Sequence, residues 1–178
     1  EEMFPYLNIQ YGNPSSIYSI GRNAKRAIEE ARKRVASLIN CKPEEIYFTS
    51  CGSESDNTAL KGIAYSNDKK GKHIITSKIE HPAILHSCKN LEKHGFEVTY
   101  LDVDKNGFIN LETLKNSIRP DTILISIMFA NNEIGTIEPI EKIAKIAHEN
   151  NIIFHTDAVQ AAGNIEIDVQ KMNIDMLS

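Results

Sequence analysis

Four short polar segments follow apolar stretches of the chain. They are residues 50–57, 80–82, 131–136 and 155–160. In an open α/β sheet, ligands bind beyond the carboxyl ends of the strands. These segments are therefore where side chains that bind or react should be sought.

The first segment contains Gly52 and Ser53, at the point where a predicted strand turns into a helix. Unpaired amides at a helix start, the helix dipole and a serine hydroxyl can together bind an anion such as phosphate. The alternative is that Ser53 only caps the helix. Taken alone, the cap is the better interpretation, because serine is a favoured capping residue.

His81 follows a predicted strand and precedes Pro82, which should hold its position well. An imidazole there could stack on a planar ligand or move a proton. A surface or helix-capping histidine is the alternative, and for this residue alone it is the better interpretation.

Asp157 comes directly after a hydrophobic strand, so its carboxylate should lie in a fairly dry place and need a partner. A protonated pyridine nitrogen is one candidate partner, and a backbone turn is the other. Gln160 could reach the same side if residues 158–162 form one helical turn. Asn132, in the loop after a long apolar stretch, adds an amide that can donate or accept a hydrogen bond. The combination is more specific than any single residue.

Three other features suggest chemistry that the rest of the sequence does not support. Cys51 resembles a nucleophile at a helix start, but a small residue filling a tight turn is the more common role. Residues 102–107 match the first half of a calcium-binding loop, yet Thr113 stands where the closing glutamate is required. The six histidines show no zinc-binding spacing, so we expect no metal site.

The elements that position these residues alternate between helix and strand. Helices are expected from near Ser19 to Ile39, from the turn at 50–53 to about Tyr65, after Pro82, and over 111–118 and 140–150. Strands are expected at 46–49, 73–77, 97–101, 122–129 and 152–155. The strand runs are continuously apolar, as in strands buried on both faces. The pattern predicts an α/β fold with a mostly parallel sheet and helices on both faces.

Composition agrees with one globular domain over residues 1–178. Hydrophobic residues make up 41% and charged residues 25% of the chain, which is ordinary for such a domain. The net charge of −4 argues against a nucleic-acid partner, and no apolar run is long enough to span a membrane. An odd number of cysteines, three, indicates a reducing compartment, so we expect a cytoplasmic protein. Both ends look cut, since the chain starts without Met and stops in an apolar run.

At these motifs the chain resembles the cysteine desulfurases, pyridoxal-phosphate enzymes of the class V aminotransferase group. The resemblance begins at residues 12–16 and runs through 48–57, 76–81 and 131–135 to 155–160, in family order. It implies most of the large, cofactor-binding domain of the fold type I transferases, without the C-terminal small domain.

The resemblance also implies a role for each matching residue. Gly52 and Ser53 would hold the cofactor phosphate, and His81 would stack on the pyridine ring and take part in proton transfer. Asp157 would pair with the ring nitrogen, and Gln160 would hydrogen-bond the phenolic oxygen. Asn132 would lie near that oxygen and the substrate carboxylate.

The family converts L-cysteine to L-alanine and leaves a persulfide on an enzyme cysteine, which supplies iron–sulfur cluster assembly through a scaffold protein or other acceptors. The resemblance further implies a homodimer. In the family, the Schiff-base lysine, the sulfur-accepting cysteine and a substrate-binding arginine all lie beyond the last residue of this chain. We therefore expect the chain by itself to be inactive. Two alternatives stay open: a class V relative acting on another amino acid, and a non-catalytic phosphate-binding or scaffold domain.

Overall fold

The computed structural model describes residues 2–178, and its contacts divide the chain into two compact units. One unit extends to Phe48 and the other covers Thr49–Ser178. Whether the whole chain behaves as one domain stays a prediction.

The first unit is built around one long helix. A short helix, α1 (Phe4–Asn8), is followed by α2 (Ser19–Ile39) and a 3₁₀ turn at Pro43–Glu45. The expected start of α2 near Ser19 is confirmed. The helix ends at Asn40, whose φ of 56° places it in the left-handed conformation that asparagine tolerates.

The second unit contains the remaining elements. Its helices are α3 (Gly52–Ser66), α4 (Pro82–Lys93), α5 (Leu111–Ser117) and α6 (Ile140–Glu149). Its strands are β1 (His73–Ser77), β2 (Glu97–Leu101), β3 (Thr122–Ser126), β4 (Ile153–Thr156) and β5 (Met176–Leu177). In residues 2–178 no helix is both long and apolar enough to cross a membrane.

The strands form one sheet in the order β2–β1–β3–β4–β5, and every neighbouring pair is parallel. The predicted α/β class with a parallel sheet is confirmed. Because the strands are parallel, their carboxyl ends lie along a single edge. The segments after β1, β3 and β4, which are neighbours in the sheet, therefore meet there.

Both faces of the sheet are buried. All five residues of β1 and of β3 are buried, and successive side chains of a strand point to opposite faces. On one face, Ile74 and Leu124 pack in a core with α3 and α4, to which Leu60, Ile84 and Leu91 contribute. Ile75 and Ile125, on the alternate face, are also fully buried. This packing holds the sheet edge rigid beneath the loops.

The strand expected at residues 46–49 is wrong for the part of the chain that the structure describes. These residues are not paired in any ladder, and Tyr47 is 85% exposed. The carbonyl of Ile46 accepts a hydrogen bond from the Arg32 guanidinium instead of a neighbouring strand. Apolar and β-branched composition favours a strand only where a second backbone is in reach.

The strand expected over residues 122–129 ends early, at Ser126. Beyond it, the amides of Ile127 and Phe129 still donate to the carbonyls of His155 and Asp157, at 3.1 and 2.8 Å. The amide of Met128 points the other way and donates to a buried carboxylate oxygen, Glu80 Oε1, at 3.0 Å. A side chain therefore replaces the next ladder bond to β1. The strand expected at 152–155 is displaced by one residue, to Ile153–Thr156.

Candidate active site

A cavity of about 250 Å³ lies at the carboxyl edge of the sheet in the second unit. All six residues singled out from the sequence line it: Gly52, Ser53, His81, Asn132, Asp157 and Gln160. Cys51, Asp56, Met128, Ala130 and Val159 complete the lining. The tertiary structure thus brings together residues that are up to 108 positions apart in the chain.

The start of α3 forms one wall of this cavity. The helix begins at Gly52, and Cys51 is its N-cap without a side-chain capping bond. The interpretation of Ser53 as the cap is therefore wrong, because Ser53 already lies one residue inside the helix. The first helical hydrogen bond runs from Ser55 N to Cys51 O, so the amides of Gly52, Ser53 and Glu54 precede it. Such amides, with the positive end of the helix dipole, suit an anion.

Gly52 keeps this wall close to the opposite loop. A Cβ added to Gly52 would lie 2.7 Å from Val159 Cγ2, which is too close for two carbon atoms. Any other residue would push Val159 outward and change the shape of the cavity beside the amides. The glycine therefore matters here for close approach.

His81 is the N-cap of α4, and Pro82 occupies the first helical position. The amide of Ala83 donates to His81 Nδ1 at 3.2 Å, so the capping interpretation is confirmed. Because Nδ1 accepts a hydrogen bond from an amide, the proton of the neutral ring lies on Nε2. The ring is exposed and also lines the cavity, so capping fixes its position without burying it.

Asp157 follows β4 directly and is 8% exposed. Its Oδ1 accepts the amide of Val159 at 3.0 Å, the turn contact named as an alternative partner. Its backbone carbonyl accepts the amide of Phe129. These two bonds anchor the residue from both sides while its carboxylate lines the cavity.

Gln160 lies in the turn that follows Asp157. The single helical turn on which its placement depended is present, since Ala162 N donates to Ala158 O at 2.8 Å. Gln160 is exposed and its side chain lines the cavity.

Asn132 is held in place by its neighbour. The Asn131 side chain is buried, accepts the amides of Glu133 and Ile134, and donates to the carbonyl of Ile79 at 3.0 Å. This ties the loop after β3 to the loop after β1. Asn132 itself is exposed at the cavity.

Two buried carboxylates near this site, Glu80 and Asp56, belong to no motif that indicates a role for them. Glu80 is 4% exposed, and burial raises its pKa to about 8. Asp56 is 1% exposed, and its pKa is raised to about 6 by burial and then by the charge of Asp157. A helical pattern in α3 could have found Asp56, because it shares a face with the buried residues Ala59 and Leu60.

His155, at the end of β4, is fully buried between two hydroxyls. Its Nδ1 lies 2.9 Å from Ser126 Oγ and its Nε2 lies 3.0 Å from Ser178 Oγ. Burial lowers its pKa to about 4, so the ring is neutral at pH 7. A neutral ring adds no positive charge beneath the cavity.

Comparison with known proteins identifies the family. The model of the class-V aminotransferases matches residues 1–178. The chain belongs to this family. The resemblance noted in the sequence is thereby confirmed.

Its curated relatives in the family include proteins named cysteine desulfurase IscS. The protein from Methanosarcina thermophila is 63% identical over 178 residues, and the one from Clostridium botulinum strain Kyoto is 60% identical. All of this chain is covered in both alignments, but only 44% and 45% of the relatives. The chain therefore spans less than half the length of the curated relatives it matches.

Solved structures of similar proteins agree with the fold. A structure described as SspA in complex with cysteine has a TM-score of 0.96 and 44% identity, covering 99% of this chain and 51% of its own. A NifS-like protein has a TM-score of 0.95 and 41% identity, covering 99% of this chain and 50% of its own.

The family uses pyridoxal 5'-phosphate, and the residues present here fit that cofactor. The cavity offers helix-start amides for a phosphate, an exposed imidazole for a ring face, and a buried carboxylate for a ring nitrogen. Gly52 leaves the room that a Cβ would fill. Among the described residues no group of three or more His, Cys, Asp or Glu side chains is placed to bind a metal ion.

Proposed function

We propose that this chain is the cofactor-binding part of a cysteine desulfurase. The observation that supports this most is the meeting of the six residues in one cavity, in a chain 63% identical to a protein of that name. The enzyme would convert L-cysteine to L-alanine and transfer the sulfur to a cysteine thiol of its own.

Each residue has a defined task in this proposal. The amides at the start of α3 and the Ser53 hydroxyl bind the phosphate group. His81, whose ring is fixed through Nδ1, lies against the pyridine ring and moves a proton at Nε2. Asp157 keeps the ring nitrogen protonated, while Gln160 and Asn132 donate hydrogen bonds to the phenolic oxygen and the substrate carboxylate.

When bound, the cofactor supplies an electron sink for the negative charge that develops on the amino acid. Asp157 makes that sink effective, because a protonated ring nitrogen accepts charge better than a neutral one. The burial of Asp157 excludes water, so its attraction for the ring proton is little weakened by solvent.

The overall reaction balances without an external oxidant or reductant. The C–S bond of L-cysteine breaks, and the carbon takes up a proton to become the methyl group of alanine. The sulfur bonds to the thiol sulfur of an enzyme cysteine, giving a persulfide. The carbon is reduced by two electrons and sulfur is oxidised by the same number.

Further properties belong to the proposal because they are typical of the family. The enzyme would be a cytoplasmic homodimer that passes sulfur to an iron–sulfur scaffold protein or other acceptors. The Schiff-base lysine and the accepting cysteine would lie outside this chain, so residues 1–178 alone would bind the cofactor without turning over cysteine.

The test uses the full-length protein that contains this chain. With pyridoxal phosphate and L-cysteine, it should release alanine and acquire a protein-bound persulfide in equal amounts. Cofactor binding without either product would contradict the desulfurase activity and favour a class V enzyme for another amino acid.

A second measurement separates an enzyme part from a scaffold. Residues 1–178 alone should bind pyridoxal phosphate saturably, yet borohydride should not fix it in stoichiometric amounts, because the lysine is outside the chain. No saturable binding to either protein would favour the scaffold alternative.

A further inference from the structure

Asp56 is a buried carboxylate that lines the cavity but has no task in the proposed function. It lies in the second turn of α3 and is 1% exposed. Its Oδ1 has no hydrogen-bond partner in the described part of the chain. A buried polar atom without a partner costs free energy, so its position at a ligand cavity calls for an explanation.

The groups that face Asp56 come from every element packed around it. Asp157 follows β4, His81 precedes α4, and Glu80 lies just before His81. His155 Nε2, from β4, is 4.0 Å from Asp56 Oδ1, but this ring is neutral because burial lowers its pKa to about 4. The Ser178 side chain hydrogen-bonds the carboxylate and offsets part of the rise in its pKa.

Among the described residues, only the Ser178 side chain and His81 act to lower the pKa of Asp56, and they offset the rise in part. No Lys or Arg is among the residues of 2–178 that line the cavity. The charge of Asp157 raises the pKa of Asp56, which burial had already raised, to about 6. Two carboxylates in one dry site resist ionising together, so one of them tends to hold a proton.

A cation beside Asp157 would lower the pKa of Asp56. It would cancel the repulsion that Asp157 exerts on Asp56. Covering the cavity would remove little further water from Asp56, since its side chain is already buried. The net effect of the cation is therefore to favour the ionised form of Asp56.

We propose that Asp56 is a positioning residue of the ring-nitrogen site, which shares a proton with solvent near pH 6 when the cavity is empty and is fully ionised when a protonated pyridine nitrogen lies against Asp157. This rests on the proposed function. On binding, the O–H bond of Asp56 breaks and its proton passes to solvent, with no change of oxidation state. The second negative charge then helps Asp157 to hold the proton on the ring.

The test is a calorimetric measurement of proton release, made on the cofactor-free full-length protein. The probe is pyridoxamine 5'-phosphate, which has the same ring and phosphate but no aldehyde to react with a lysine. Titration in buffers of different ionisation heat gives the number of protons released per molecule bound. The phosphate and the ring of the probe also exchange protons on binding, so the comparison between variants isolates Asp56.

Near pH 6, wild type should release up to about half a proton more per site than Asp56→Asn, because about half of the Asp56 side chains are protonated there. The difference should vanish near pH 8, where Asp56 is ionised in both states. Asp68→Asn, which removes an exposed carboxylate just after α3, should behave as wild type. Glu80, with a pKa of about 8, stays protonated near pH 6.

Equal proton release by wild type and Asp56→Asn would overturn the role of Asp56 while leaving cofactor binding intact. No saturable binding of the probe to wild type would overturn both this inference and the proposed function. If Asp56→Asn fails to fold, infrared difference spectra of wild type with ¹³C-labelled aspartate decide. A protonated carboxyl band should disappear on binding near pH 6, and its persistence would contradict the proposal.

Discussion

Hydrogen bonds from the backbone fix the orientation of individual side chains at this site. His81 is fixed through one ring nitrogen, and Asp157 through one carboxylate oxygen and its carbonyl. In each case a backbone amide takes one polar atom of the side chain. The remaining polar atom is thereby held in a constant direction toward the cavity.

Asp157→Ala in the full-length enzyme should lower turnover at least tenfold, about 1.4 kcal/mol of transition-state stabilisation. In the proposed function, the lost charge is the one that keeps the ring nitrogen protonated. Alanine release measured at saturating L-cysteine and pyridoxal phosphate checks this. Asp157→Asn keeps an oxygen that can accept the Val159 amide but lacks the charge, so it should be impaired as well. Wild-type turnover in Asp157→Asn would show that the charge has no such role.

Asp157 and Asp56 differ in how clearly the sequence indicates that they belong to the site. The position of Asp157 directly after an apolar strand indicates a binding residue. Asp56 gives no such signal, because it lies among polar residues at a helix start. Only its spacing from Ala59 and Leu60 indicates the buried face. That it shares a cavity with Asp157, 101 positions away in the chain, follows from the packing of α3 on the sheet.

At the scale of elements, the start of α3 is packed so closely against Val159 that position 52 has no free room for a side chain. Gly52 and Gly62 lie in the same helix, but a Cβ at Gly52 meets Val159 and a Cβ at Gly62 meets nothing within 4 Å. The two glycines therefore make a matched pair for substitution.

Gly52→Ala should weaken pyridoxal phosphate binding roughly tenfold, because Val159 must shift beside the amides proposed to bind the phosphate. Gly62→Ala should leave binding unchanged and stabilise the protein by about 0.5–1 kcal/mol, since alanine favours a helix. Fluorescence titration and urea unfolding measure the two effects. Equal affinity of Gly52→Ala and wild type would contradict the close-approach argument.

The loop after β3 is fixed to the connection before α5 by another buried acid, Glu138. Glu138 is 4% exposed, and both of its carboxylate oxygens are within hydrogen-bond distance of the amide of Ile109. Burial raises the pKa of Glu138 to about 7. The folded state therefore binds a proton that the unfolded state releases at lower pH.

Because its pKa is raised in the folded state, Glu138 makes the protein less stable as the pH rises. The contribution of Glu138 to stability is complete below the ordinary glutamate pKa and is lost as the pH rises through about 7. Between pH 5 and 8, Glu138→Gln should lose roughly 1–3 kcal/mol less unfolding free energy than wild type. Urea unfolding at both pH values measures this difference. Glu133→Gln, an exposed site in the same loop, should follow wild type, and an unchanged slope in Glu138→Gln would refute the assignment.

At the scale of the whole molecule, the two units differ in how well they are packed. The second unit holds the buried sheet, whereas large apolar side chains are exposed in the first, among them Ile9, Ile17 and Tyr47. Exposed apolar surface on this scale favours association. The site residues all belong to the second unit, so its core determines their positions.

Leu124→Ala tests that core. Leu124 is fully buried in the central strand β3, so its truncation should cost about 2–5 kcal/mol of unfolding free energy. Ile134→Ala removes a side chain that is 58% exposed and should cost less than 1 kcal/mol. Chemical unfolding of both variants gives the comparison, and similar losses would show that the sheet core does not dominate stability.

The sequence alone determined the alternation of helix and strand, the α/β class and the six candidate residues, because these depend on local periodicity and on motifs. The tertiary structure decided which segments pair and which acids are buried. Residues 46–49 have the composition of a strand but no partner in the described chain, and β3 stops where Glu80 takes the Met128 amide. A local pattern can indicate that a face is buried, as the spacing of Asp56 from Ala59 and Leu60 does, but the groups that cover or pair with it are distant in sequence, so only the tertiary structure identifies them.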